Sequence, residues 1–173
     1  MKKIASFLAV FFTVAGSFAQ VTEQKISDKV TISFPGKPTL NNGENGAVVY
    51  TLIKDSSTAY MAVSVDLGAL GLSADMIASA GDAVWEQMKG PMMSKLPNAV
   101  LVKDQVTTFK GKSALYMEID GAKSAEPLLK GKKTFGYSFF VGAILTNLTY
   151  YSASPTATVE DAKAFFDSVV ITN

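Results

Sequence analysis

Apolar and polar residues alternate along the first half of the chain, and this period of two predicts β-strands with one apolar face. Two segments show the alternation, at 30–34 and 60–65, and the largely apolar segment 48–53 between them is also typical of a strand. Pro35 and Gly36 end the first segment. The asparagine-rich stretch 41–46 is typical of a turn, because asparagine and glycine tolerate the backbone angles that turns require.

After the third strand the apolar period changes from two to about 3.6, which predicts an amphipathic helix. Ser73 is suited to cap its first turn, and Gly90-Pro91 is expected to stop or kink it. Gly81 weakens the middle of this helix, since glycine has low helix propensity. The predicted apolar stripe consists of Met76, Ile77, Ala80, Val84 and Met88.

Strand patterns return in the second half and predict two hairpins. The first joins 100–109 to 113–120 and is expected to bury one face, and the second joins 134–141 to 144–153 and is rich in aromatic residues. The segment 121–133 between them is a polar loop. Near the end of the chain, the Thr158 to Asp161 spacing fits a capping box that opens a final helix.

The last residues of the chain, 169–171, are β-branched and predict a short terminal strand. In sum, the pattern has three strands, a helix, four strands and a further helix. It predicts an α+β fold, an antiparallel β-sheet flanked by helices.

The first 19 residues have the pattern of a secretory signal peptide. Lys2 and Lys3 precede an apolar run that is too short to span a membrane, and Ser17 and Ala19 suit cleavage before Gln20. We therefore predict a leader at 1–19, a single domain at 20–173, and export to the periplasm or the medium. An uncleaved membrane anchor is the alternative, and the mature chain is expected to have no stable membrane insertion.

The amino-acid composition limits which functional groups are available for catalysis and metal binding. The chain has no histidine and no cysteine, and all 16 of its cationic residues are lysine. The usual imidazole bases, thiolate nucleophiles and zinc ligands are missing, so we predict no cofactor, no metal site and no catalytic residue. Without the leader, 14 lysines face 15 acidic residues, a formal charge of −1. This balance gives no electrostatic basis for binding nucleic acid.

Two segments resemble a known family. The opening VTISFPGKP at Val30 to Pro38 and the closing AFFDSVVI at Ala164 to Ile171 look like the PsbP-like family. That family includes the extrinsic photosystem II subunit P, a Ran-binding nuclear import factor and exported bacterial domains of unassigned function. The resemblance implies an α/β/α sandwich and a scaffold rather than an enzyme. It transfers no binding residue, because metal binding in photosynthetic members relies partly on histidine.

Two groups of residues are candidates for an interaction site. Lys130, Lys132 and Lys133 cluster in the predicted loop and could steer an anionic partner, although exposed lysines are common on any surface. Tyr150 and Tyr151, with the aromatic residues of the partner strand, could line a pocket for an apolar or carbohydrate ligand. The alternative for these aromatics is ordinary core.

Catalytic hypotheses rest on weaker patterns. Glu118 and Asp120 share one face of a predicted strand and could act as an acid and base pair, or bind calcium with Asp104. The neighbours Ser94-Lys95 and Lys112-Ser113 could indicate a lysine-assisted serine hydrolase, but they fall near turns where water keeps lysine charged.

Three functional classes therefore remain. The leading hypothesis is an exported non-enzymatic module that binds an unknown protein or small-molecule partner through a sheet face or its loops. The alternatives are a carboxylate-dependent hydrolase or lyase and a carrier for a small apolar molecule. A deep cleft lined by Glu118 and Asp120 would favour catalysis, a closed aromatic cavity a carrier, and a filled core an interaction module.

Overall fold

The computed structural model describes residues 21–172. The predicted leader, 1–19, lies outside the described residues. The described part contains ten strands and three α-helices, with short 3-10 turns between some of them. The strands are β1 Thr22–Ser27, β2 Val30–Phe34, β3 Thr39–Asn42, β4 Val48–Ile53, β5 Thr58–Asp66, β6 Val100–Phe109, β7 Lys112–Asp120, β8 Lys133–Val141, β9 Ile144–Ser152 and β10 Val170–Ile171. The helices are α1 Ala74–Ala80, α2 Ala83–Ser94 and α3 Lys163–Asp167.

The strands form two antiparallel sheets. The large sheet has seven strands in the order β3-β4-β5-β9-β8-β7-β6, and the small sheet has three in the order β1-β2-β10. The predicted α+β class is therefore confirmed. The alternation along the chain did not reveal that its first and last strands form a separate sheet.

The large sheet separates two apolar cores. The first core lies between the sheet, α3 and the small sheet, where Phe165 contacts Phe34 and Tyr60 at ring-centroid distances of 5.3 and 5.1 Å. The second core lies on the opposite face, under α2, around Trp85 and Leu115. Because successive side chains of a strand point to opposite faces, each central strand contributes to both cores. This arrangement places helices on both sides of the sheet, as the α/β/α expectation requires.

The structure corrects several local predictions. The 113–120 segment was expected to bury one face, but β7 is buried on both, because helices cover one face and α3 with the small sheet covers the other. Two strands were not predicted. β1 is mostly polar, and β3 is an exposed edge strand that includes part of the predicted turn, so neither has a strong apolar alternation.

The predicted single helix is two helices. Gly81 separates them with φ +54° and ψ −139°, a conformation that residues with a side chain rarely adopt. Pro91 lies inside α2 rather than at its end. The predicted cap is confirmed, since the Met76 N–H donates to Ser73 Oγ at 3.2 Å. The capping box of Thr158 and Asp161 is also present, and it opens a 3-10 turn that continues into α3.

The first core gives a stability prediction. Replacing the fully buried Phe34 by alanine is expected to reduce the free energy of unfolding by about 3–5 kcal/mol, because it removes the ring that packs against Phe165. Urea denaturation measures this change. Leu40→Ala, at a side chain that is 54% exposed, is the matched control and should change it by less than about 0.5 kcal/mol. Equal effects of the two substitutions would contradict this packing.

Candidate ligand-binding site

Small and polar residues occupy the middle of the large sheet on the face that α2 covers. On β8 and β9 they lie opposite each other, with Ser138 paired to Asn147 and Gly136 paired to Thr149 in the strand register. Intervening residues on the same strands, such as Phe139 and Leu148, fill the first core on the other face. We call the set on the α2 face the polar floor, and it consists of Thr134, Gly136, Ser138, Asn147 and Thr149.

A cavity of about 330 Å³ lies over the polar floor. Its roof comes from the C-terminal half of α2 and from the loop before β8, and its sides come from β5 and β7. We call it the inner cavity. A second space of about 640 Å³, the outer groove, runs between the helices and the sheet and shares Met92, Lys95 and Asn147 with the inner cavity. The inner cavity is within the size range of known small-molecule sites, roughly 300–1,000 Å³.

Methionine is concentrated around these two spaces. Every methionine of residues 21–172 lines the inner cavity, the outer groove or both, namely Met61, Met76, Met88, Met92, Met93 and Met117. Methionine is flexible and polarisable, so it adapts its shape to different apolar partners. The inner cavity therefore has a deformable apolar roof and sides above a floor that can form hydrogen bonds.

The polar floor contains a buried hydroxyl without a partner. Ser138 Oγ donates to Asn147 Oδ1 at 2.6 Å, which satisfies the serine hydroxyl and the amide oxygen. Thr134 is 6% exposed, and its Oγ1 is buried with no hydrogen-bond partner among residues 21–172. Leaving a buried hydroxyl without a partner costs about 1–3 kcal/mol. A polar atom of a bound molecule would remove this cost, because Thr134 lines the inner cavity.

Tyr151 lies next to Thr134 in the strand register, at the same end of the inner cavity. Its hydroxyl donates to Met61 Sδ at 3.8 Å, and sulfur is a weak acceptor. Burial raises the pKa of Tyr151 above its ordinary value, and the negative charge of Glu126 adds to the rise. A side-chain hydrogen bond with Thr149 opposes this rise in pKa but does not outweigh burial, so the phenol stays neutral.

The loop before β8 forms one wall of the inner cavity through Leu128 and Leu129. Gly121 fixes the start of this loop, since its N–H donates to the Lys132 carbonyl at 2.8 Å. A Cβ at Gly121 would overlap the carbonyl oxygen and side chain of Leu129, so only glycine allows this close approach. The close approach holds Leu129 against the second core.

The structure distributes the predicted loop lysines over different contacts. Lys130 is exposed, Lys132 donates to the Leu128 carbonyl at 3.2 Å, and Lys133 donates to the Pro155 carbonyl. Two of the three ammonium groups therefore form hydrogen bonds with backbone carbonyl groups. A role for this group in binding an anionic partner stays a prediction.

The two predicted tyrosines do not line one pocket. Tyr150 and Tyr151 are adjacent on β9, so their side chains point to opposite faces of the sheet. Tyr150 packs in the first core, with its ring centroid 5.4 Å from that of Tyr60 and 6.2 Å from that of Phe135. Tyr151 alone of the pair reaches the inner cavity.

The carboxylates of the catalytic hypothesis lie outside the inner cavity and have structural partners. Glu118 accepts from the Tyr116 hydroxyl at 2.9 Å and lies 3.9 Å from Lys103 Nζ. Asp120 accepts from the Ala122 N–H at 2.8 Å, and Asp104 pairs with Lys89 on α2. Within residues 21–172, no cluster of three or more histidine, cysteine or acidic side chains could hold a metal ion.

The two serine-lysine neighbours also have structural roles. Ser94 Oγ donates to the Pro91 carbonyl at 2.8 Å in the last turn of α2. Ser113 Oγ donates to Asp82 at 2.7 Å and accepts from Trp85 Nε1 at 3.1 Å, and this chain of contacts fixes the start of α2 over the sheet.

The inner cavity was missed at the sequence level. The signal was the sequence of β8, where Thr134, Gly136 and Ser138 alternate with aromatic residues. A strand that is buried on both faces normally has apolar residues at such positions. The aromatic residues, from which a pocket was predicted, lie mostly on the filled face. The site lies on the face with the smaller side chains.

No known family model matches the chain, and no curated protein sequence matches it. The solution structure of cyanobacterial PsbP (CyanoP) from Synechocystis sp. PCC 6803 is similar, with a TM-score of 0.52 and 12% identity over 91% of this chain and 96% of that one. A Pseudomonas aeruginosa protein of unknown function has a TM-score of 0.45 and 11% identity, over 85% of this chain and 92% of that one.

The chain therefore has a PsbP-like fold, as the resemblance implied. The low identity transfers no function. In the described range, none of the helices has the length and apolar character needed to cross a membrane.

The buried phenol predicts a loss of stability in alkali. Burial raises the pKa of Tyr151 in the folded protein above 10.0, its value in the unfolded chain. Above pH 10 the unfolded chain therefore releases this proton while the folded protein keeps it, and the free energy of unfolding falls as the pH rises. Below pH 10 both states keep the proton, so Tyr151 causes no such loss. Chemical denaturation over a pH series should show a shallower alkaline decline for Tyr151→Phe than for the natural protein. Parallel curves above pH 10 would contradict the buried position of this hydroxyl.

Proposed function

We propose that the chain is an exported, non-catalytic binding protein that holds a small, mainly apolar molecule in the inner cavity. The observation that carries this proposal is the cavity itself, which has methionines at its roof and sides above the polar floor. Export rests on the predicted leader at 1–19. Of the hypotheses drawn from the sequence, a carrier for a small apolar molecule agrees best with this geometry.

An unfilled space of this kind has a cost that a purely structural sheet would avoid. Protein interiors are close-packed, and empty volume next to apolar side chains reduces stability. Leucine or valine in place of Ser138 or Thr149 would fill part of the space and remove polar groups from the core. Residues that lower stability at a concave surface are typical of binding sites, where function competes with packing.

The geometry gives less support to the other two classes. Glu118 and Asp120 do not line the inner cavity, so the cleft expected for a carboxylate-dependent enzyme is missing from this site. The central strands offer a protein partner no open face, because α3 with the small sheet covers one face and α2 covers the other. The site also differs from the closed aromatic cavity expected for a carrier, since it is open and lined mainly by aliphatic and methionine side chains.

Val63 on β5 lines the inner cavity, and enlarging it tests the proposal. A neutral naphthylamine dye that fluoresces in apolar surroundings should bind the natural protein, and Val63→Phe should weaken binding by about tenfold or more, because the ring occupies the ligand's space. Fluorescence titration measures both affinities.

Val102→Phe is the matched control, because Val102 lies on an edge strand of the same sheet and is 62% exposed. Dye affinity should be unchanged in this variant. Equal affinity in all three proteins, with each shown to be folded by circular dichroism, would place the dye elsewhere and overturn the proposal.

A further inference from the structure

Two hydrogen-bond donors lie where the inner cavity meets the outer groove. Lys95 and Asn147 line both spaces, from the end of α2 and from the sheet respectively. Lys95 follows the last residue of α2, so the helix fixes its backbone at this junction. Both side chains therefore border the region where the two spaces join.

Neither donor is fully used within the protein. Lys95 is the only cation that lines the inner cavity or the outer groove, and its Nζ has no ion pair or hydrogen bond with residues 21–172. Asn147 accepts through Oδ1 from Ser138, which leaves its amide NH₂ group without a described partner. An ammonium and a free amide NH₂ group together form a site for an anionic oxygen.

Glu126 is the acidic side chain that lines the inner cavity, and the N–H of the preceding Ala125 donates to the Pro97 carbonyl at 3.3 Å. Thr134 and Ser138 mark the two ends along β8 and are four residues, or about 13 Å, apart. The inner cavity is therefore elongated along the strand.

We propose that the ligand is a single-chain amphiphile with a carboxylate head group. This inference rests on the proposed function. The carboxylate accepts hydrogen bonds from Lys95 and Asn147 at the junction, and the apolar chain lies along the inner cavity against Met61, Met93 and Met117.

Single-chain probes with matched tails test the head group. Isothermal titration should show the tightest binding for dodecanoate among dodecanoate, dodecanol and dodecyltrimethylammonium. The two ionic probes are kept below their micelle-forming concentrations, and dodecanol is kept below its solubility limit. Lys95→Gln should weaken dodecanoate binding by about tenfold, because it removes a charge-assisted hydrogen bond, and should leave dodecanol binding unchanged. Lys95→Arg keeps the charge and should retain most of the affinity.

Lys37→Gln is the control for the loss of one positive charge, because Lys37 is exposed and lines neither the inner cavity nor the outer groove. If the three probes bind equally and Lys95→Gln changes none of them, the carboxylate inference is wrong while the binding function stands. Tighter binding of the cationic probe also overturns the inference. If no probe binds, or if Val63→Phe does not reduce binding, the proposed function itself fails.

Discussion

The structure depends on one constraint, the burial of both faces of the central strands β8 and β9. Each strand must supply two cores at once, because its side chains alternate between the faces. Toward α3 and the small sheet, these strands present a close-packed aromatic set in which Tyr137 and Phe166 meet at a ring-centroid distance of 5.1 Å. Toward α2, the middle of these strands presents short and polar side chains. The first face holds the fold together, and the second leaves space for a ligand.

The different roles of the two faces explain how the fold tolerates the inner cavity. The aromatic core fixes the register of the sheet, and the contact of Trp85 with Phe140, stacked at 4.8 Å, anchors the start of α2 beside the cavity. From there, α2 extends over the polar floor with a proline in its interior, which removes one backbone hydrogen bond. The methionines of its second half then form a roof that depends less on close packing than the rest of the protein.

Most of the fold could be predicted from the sequence, but little of the site could. Strong periodicity located β2, β4 to β9 and the final helix, and short side chains and capping residues identified the helix starts at Ser73 and Thr158. Periodicity could not show that β1 and β10 join β2 in a second sheet, because pairing between distant segments leaves no local pattern. The site was missed for a related reason, since the cavity arises where Gly136 has no side chain and its neighbours on the same face have short ones.

The most direct test of the central claim is nuclear magnetic resonance of protein labelled with ¹³C in the methionine methyl groups. The account predicts that a neutral naphthylamine dye shifts the signals of Met61, Met93 and Met117, which line the inner cavity alone, in proportion to its occupancy. Shifts confined to Met76, which is 55% exposed on the outer groove, would contradict the account. A complete lack of shifts at saturating dye would contradict it as well.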